Sequence, residues 1–492
     1  MILQPSLGHK TAKAFAWFFA ALSLVALLSQ PGASKLEWFH AASIWCGHGE
    51  RTTYCSEIKE EANGVAQART NFGATECLLL PKYPLVCPTS DGTETLSKIN
   101  DGLQPNLFYF VFSWLVVPSV DLSILIVRLA NALIVSILLG LMMVALPNRH
   151  RVVMTLMILC VLSPTGVFVF ASISPSSWSI LGVGFSWLSL HAAFCPDIVD
   201  TRQKRLLIWL GIALIVLAVG SQWNSIAHLV VTSSFVAIHL VRMYFRPQTK
   251  KLFPGVILAF VGVTTIVEVL TPSSPMDALR SYIDFVRSQS NGITPFVVSV
   301  LQKLPNVTEP LGSIPTTSIV DLPELAYVFG LTVLGVVVTQ SYERNSSWQK
   351  WGSSVLLLLL SFALVREEMF YDYRAYYSIN TEVFYPLFVF GLGWWFLTGP
   401  MDLLSRLSRT INPIILTVSA VFCLVQFTAA ERFVDRQTYG LRLIPDSPDA
   451  WWWSWMPVGP TVVVLVATYC FYRFLSELSK AVLCERTEML NR

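Results

Sequence analysis

Long apolar runs separated by short polar breaks dominate the chain. Residues 1–13 are polar, with Lys10 and Lys13, and residues 14–30 are apolar. That run is long and lacks a small-x-small cleavage site near its end, so it reads as an uncleaved anchor and not as a signal peptide. Residues 31–104 form a long polar loop. Residues 106–118 are apolar but too short to span, a length that suits a re-entrant or interfacial segment. Further runs lie at 124–146, 152–172, 178–194, 206–220, 226–244, 253–271, 323–340, 352–365, 383–399, 411–429 and 459–478. The hydropathy criterion turns this pattern into about twelve spans. The expected fold class is an all-α integral membrane protein, a polytopic helical bundle in which residues 1–492 form a single transmembrane domain.

Composition supports this class: the chain is 54% hydrophobic and 13% charged, where soluble domains carry ~25% charged residues. The net charge of +3 matters less than where the charges sit. With the N-terminus inside, alternate loops hold Arg149/Arg151, Arg202/Lys204/Arg205, Arg246/Lys250/Lys251, Arg344/Lys350, Arg406/Arg409 and Arg486/Arg492. Every predicted inner loop is then short and basic, which is the positive-inside pattern. The expectation is a multi-pass protein of the cell (plasma) membrane with both termini cytoplasmic. Its outer face comprises residues 31–123, the Ser174–Ser177 turn, Ser221–Ser225, 272–322, 366–382 and 430–458. The inner loops are too small to hold a domain, so any site is expected outside or in a cavity opening outward. Nothing points to nucleic acid, since the longest lysine pair is Lys250-Lys251 and no cysteine spacing resembles a zinc motif.

Four of the nine cysteines, Cys46, Cys55, Cys77 and Cys87, fall in the first outer loop. An even set in one polar loop predicts two disulfides and an oxidising, extracytoplasmic setting. Three pairings are open, as is the alternative of four unpaired thiols.

Chemistry is expected on the outer face. Glu37 follows the first apolar run closely, where a carboxylate could meet a lipid-borne substrate and act as general base toward an acceptor hydroxyl; the alternative is a solvated loop acid. Glu37 and His40 share a helix face by their spacing, with His48 nearby. Glu-x-x-His alone is a weak metal signal, because no further ligand follows at the right spacing. Cys46 is better explained as half a disulfide than as a nucleophile. Arg128 lies inside the run Ile124–Leu129, and a charge within a span is a functional hypothesis by default. It could bind a carrier phosphate or snorkel to the nearby interface. Glu268 near the end of its run is another such charge. A second outer cluster, residues 366–377, holds Arg366, Glu368, Asp372, Arg374 and Tyr377, suited to a sugar phosphate or to an interfacial aromatic belt. Ser174 and Ser176 sit in a turn of hydroxyls that could line a pocket, although capping the next helix is the simpler role.

The layout resembles the bacterial multi-span proteins related to the GT-C glycosyltransferases, which use polyprenyl-phosphate sugars. Five features carry the resemblance: Glu37-x-x-His40 after the first span, Pro105–Tyr109 entering a re-entrant segment, Arg128-Leu129 opening the next span, the Ser172–Ser177 turn, and an arginine-aromatic loop from Arg374 to Tyr377. The segment Phe39–Cys46 looks like actinobacterial versions. Leu36 stands where the family usually carries Asp.

The resemblance implies a GT-C-like bundle whose outer loops form the site. It implies Glu37 as catalytic base, with Arg128, Arg374 and Arg366 on the donor phosphate. His40, His48, Ser174, Ser176, Glu368, Asp372 and Tyr377 would line the rest of the pocket. The implied partners are a polyprenyl-phosphate sugar donor, an envelope glycan acceptor and the lipid bilayer. No cofactor is required, and a divalent metal is the one left open. The expected function is cell-envelope glycosyl transfer with inversion. The rival expectations are a flippase of lipid-linked sugars, which the charge-poor inner halves of the spans disfavour, and a non-catalytic envelope scaffold.

Overall fold

The computed structural model describes residues 5–28, 37–46, 58–60, 65–70, 95–100, 107–117, 120–162, 164–195, 200–222, 385–398 and 458–490, with scattered positions between 225 and 237 and between 415 and 423. The predicted spans at 253–271, 323–340 and 352–365 and the loops 272–322 and 366–382 lie outside the described residues. The chain divides into two compact units: Met1–Ser177 with Leu311–Thr332 and Met401–Arg492, and Trp178–Pro310 with Val333–Pro400.

The first unit begins with α1 (Pro5–Leu28) and α2 (Glu37–Cys46). Then come β1 (Ile58–Glu60), β2 (Val65–Thr70) and β3 (Thr95–Asn100). It continues with α3 (Leu107–Ser113), α4 (Val120–Ala145), α5 (Asn148–Val161) and α6 (Pro164–Phe170). Among the described residues, three helices are long and apolar enough to cross a membrane. They are Gly8–Leu28 in α1, Leu122–Ala145 in α4 and Thr461–Ala481 in the C-terminal helix, Pro460–Leu490.

One expectation is refined here. The run at 152–172 is two helices, α5 and α6, and not one continuous helix; Pro164 opens α6. Proline has no N–H to donate and is tolerated only in a helix's first turn, so the first helix ends before it. Within 31–104 the described residues form α2 and a three-stranded antiparallel sheet in the order β1-β2-β3. Val65 pairs with Asn100 and Thr70 with Thr95, and Ile58 pairs with Ala68. These strands are short and only weakly alternating, so hydropathy does not mark them. α2 packs on β3 and on α3.

α1 runs antiparallel to the C-terminal helix. Phe18 stacks on Phe474 with ring centroids 4.6 Å apart, Phe15 meets the same ring edge-on at 5.6 Å, and Trp17 meets Tyr469 at 5.9 Å. Each such pair contributes ~0.5–1.5 kcal/mol beyond burial. In lipid, where hydrocarbon already surrounds every helix, this close packing is what holds spans together. α4 passes the same helix where Gly140 faces Phe15, so that a Cβ there would lie 3.3 Å from the ring. Opposite its buried residues Val135, Leu139 and Met142, α4 exposes Leu133, Ile137 and Leu141 at four-residue spacing, as a lipid-facing stripe should.

The second unit contains α7 (Ser176–Phe194) from Trp178 onward, α8 (Thr201–Val219) and α9 (Tyr385–Thr398). Asp200 caps α8 by accepting from Arg202 N at 2.9 Å. α7 and α8 form an antiparallel pair, tied by Ser189 Oγ donating to Leu207 O at 2.7 Å. Small residues set their approach: a Cβ on Gly182 would overlap Ala218 Cβ and Leu214 O, and one on Gly211 would lie 2.7 Å from Leu190. α9 rests on α7, with Val389 over Gly184 and the Trp187 ring 5.3 Å from Phe390.

A Gly182→Leu variant should lower the stability of this unit by ~1–3 kcal/mol through overpacking. Gly8→Ala in α1, where nothing lies within 4 Å of the added carbon, should not lower stability, since alanine favours a helix over glycine. Thermal unfolding in detergent distinguishes the two.

Candidate functional site

Glu37 and Arg128 stand far apart in sequence and meet in the structure as a forked ion pair. Arg128 Nε donates to Glu37 Oε1 at 2.8 Å and Nη2 to Oε2 at 2.6 Å. The guanidinium also donates from Nη1 to Ala26 O at 2.9 Å, and Ile173 N donates to Glu37 Oε1 at 3.2 Å. The side chains are 0% and 1% exposed. One junction thus joins the end of α1, the start of α2, the first turns of α4 and the turn after α6.

The placement follows from helix electrostatics. Ala26 is two residues from the C-terminal end of α1, where carbonyls point outward unpaired and favour a cation. Glu37 opens α2, where unpaired N–H groups favour an anion. A buried charge is tolerated only when paired and fully hydrogen-bonded. Arginine's planar fork meets a carboxylate with two parallel bonds, which lysine cannot reproduce.

One turn along α4, Asn131 extends the junction. Its Nδ2 donates to Ser172 O at 3.0 Å, and its Oδ1 accepts from Ser177 Oγ at 3.0 Å. Ser177 Oγ shares that one proton with Ser174 O, 2.8 Å away, while Ser174 Oγ accepts from Ser176 N at 3.3 Å. Both predicted serines are buried; Ser174 turns its hydroxyl onto the first turn of α7, as a cap does. Asn131 was legible as a polar side chain inside an apolar run, the same signal that marked Arg128, but it carries no charge to draw attention.

His40 lies one turn past Glu37 and faces α3. Its Nδ1 shares a 2.9 Å hydrogen bond with the Tyr109 hydroxyl, and the two rings overlap at 5.9 Å. Burial pushes the imidazole down to about 3 and raises the Tyr109 phenol, so both are neutral at ordinary pH. Tyr109 sits on the buried face of α3 with Phe108 and Phe112, while Phe110 and Trp114 are exposed on the other. The short apolar run at 106–118 is therefore a seven-residue helix clamped to α2, not a span.

Cys46 ends α2. His48, Cys55, Cys77, Cys87, Arg366, Glu368, Asp372, Arg374 and Tyr377 lie outside the described residues. Among the described residues no group of three or more His, Cys, Asp or Glu could hold a metal ion. The Glu37–His40 pair does not fit one either: both carboxylate oxygens face the guanidinium, and His40 Nδ1 faces a phenol.

The helices and this junction define an integral membrane protein with a folded segment between its first two long spans. A family described as "Predicted membrane protein (DUF2142)" matches residues 19–297, and the chain belongs to it. The match contains Glu37, Arg128 and the Ser172–Ser177 turn. No curated protein and no solved structure matches the chain.

Because His40 is held neutral, the unfolded state takes up a proton below pH 6.5 that the folded state refuses until about pH 3. The stability that wild type holds over His40→Asn should therefore be full above pH 6.5 and fall by up to ~1.4 kcal/mol per pH unit below it. Denaturant titrations across that window check the slope; parallel curves for the two proteins would contradict it.

Proposed function

We propose that this protein is a cell-envelope glycosyltransferase that moves a sugar from a polyprenyl-phosphate donor to an extracytoplasmic glycan or lipid acceptor. The proposal includes a GT-C-like bundle of about twelve spans, cytoplasmic termini, disulfides among Cys46, Cys55, Cys77 and Cys87, and an actinobacterial affinity. The observation that carries it is the acid–arginine junction beside the end of the first span, with the carboxylate on the first helix beyond it.

The chemistry is as follows. The donor phosphate exchanges for Glu37 on Arg128, since a guanidinium fork matches phosphate as well as carboxylate. Glu37, released, accepts the proton of the acceptor hydroxyl. That oxygen attacks the anomeric carbon, and the bond from this carbon to the phosphate oxygen breaks, the electron pair leaving with the lipid phosphate. Arg366 and Arg374 would help hold the leaving group. A phosphate leaves without acid help, so one carboxylate suffices.

A second reading is favoured by the burial of the pair. Glu37 and Arg128 are buried and bonded to one another, and they reach Ile173 N and Ala26 O, a closed packing that suits a scaffold whose outer segment binds another envelope protein.

Sugar transfer from labelled polyprenyl-phosphate donors in membranes separates the two. Because a lone substitution can unfold the junction, the informative variant is Glu37→Gln combined with Arg128→Gln. Transfer by wild type that disappears in the folded double variant supports the enzyme. Transfer that survives removes both residues from the mechanism. If wild type transfers from none of these donors, the scaffold reading takes its place.

A further inference from the structure

A second charged cluster lies on the face where α1 meets the C-terminal helix, α10 (Pro460–Leu490). Three cations converge on one carboxylate: Glu477 Oε1 is 3.6 Å from Lys13 Nζ, 3.5 Å from Arg473 Nη2 and 3.3 Å from Lys480 Nζ. Glu477 is buried, but its partners are not: the Lys13, Arg473 and Lys480 side chains are 47%, 30% and 59% exposed. Among the described residues one carboxylate faces three cations, which leaves two positive charges in excess on an accessible surface.

The surroundings fix the depth of the cluster. Lys13 immediately precedes residues 14–28, which carry no charged side chain. It therefore stands where α1 enters hydrocarbon. On α10 the exposed stripe reads Val462, Leu465, Val466, Tyr469, Tyr472 and then Arg473 and Lys480. An apolar stretch, then tyrosines, then cations is the order in which a lipid-facing helix passes from acyl chains to headgroups. The aromatic rings also hold the guanidinium. Arg473 lies 5.4 Å from the Trp17 ring centre and donates from Nη1 to Tyr469 Oη at 2.9 Å. A cation positioned in this way is aimed along the protein surface and is not spread into bulk solvent.

We propose that Lys13, Arg473 and Lys480 form a binding site for the phosphate of an anionic phospholipid headgroup, with Trp17, Tyr469 and Tyr472 against its upper acyl chains. Glu477 is the internal counter-charge that keeps the three cations converged when the headgroup is absent. The site belongs to the first unit alone and is independent of any sugar chemistry.

The test uses the full chain purified in a neutral detergent. Thermal unfolding and lipid retention by native mass spectrometry are followed while dioleoyl-phosphatidylglycerol, dioleoyl-phosphatidylcholine or inorganic phosphate is added. Phosphatidylglycerol should raise the unfolding midpoint and be retained, and the zwitterionic lipid should do neither. Replacing Lys13 and Lys480 by Gln together should weaken the phosphatidylglycerol response by roughly tenfold. Glu477→Gln, which removes the competing carboxylate, should strengthen it, so the two variants move in opposite directions and a general loss of folding cannot imitate the result. Equal responses to the two lipids, or an unaltered response in both variants, would overturn the site. A response to inorganic phosphate without one to phosphatidylglycerol would overturn the lipid assignment.

Discussion

The Glu37–Arg128 ion pair is the constraint on which the described part of the first unit depends. A fully buried arginine must place its donors, and here they reach a carboxylate at the head of one helix and a carbonyl at the tail of another. Each charge is set against the helix end that favours it. Replacing either partner alone would strand an ion where neither water nor lipid could solvate it. The pair therefore fixes where α2 begins relative to the end of α1, and with it the direction in which α2 leaves the bundle.

From that point the outer segment is built by shared contacts. α2 turns His40 onto Tyr109, which fastens α3, while β3 packs along the same helix. Asn131 repeats the logic of Arg128 one turn away, satisfying the carbonyls left open where α6 ends and α7 begins. A non-helical turn near membrane depth is tolerated only when its polar groups are bonded internally, and Asn131 together with Ser174 and Ser177 meets that need. In the enzyme proposed here the donor phosphate takes the place of Glu37 on Arg128.

The apolar runs made the spans legible because a helix in lipid must be continuous and uncharged. Runs ending near 28 and 145 and beginning near 460 correspond to the three long helices. The break at Pro164 was legible in principle and was hidden by the apolar residues on both sides. The sheet was not, because three- and six-residue strands leave little periodicity. Glu37 and Arg128 stood out singly as an acid beside the membrane and a base within it. Their partnership did not, because ninety-one positions separate them and one sequence carries no record of contact. The cation cluster on Glu477 was invisible for the same reason, since Lys13 and Glu477 come from opposite ends of the chain.

The most direct measurement of this account is a double-mutant cycle between Glu37 and Arg128, read by denaturant unfolding in detergent. Glu37→Gln and Arg128→Gln should each cost ~3–5 kcal/mol, and the double variant should cost far less than their sum. Costs that simply add would show that the two side chains do not depend on one another, and the junction described here would not be what holds the first outer helix in place.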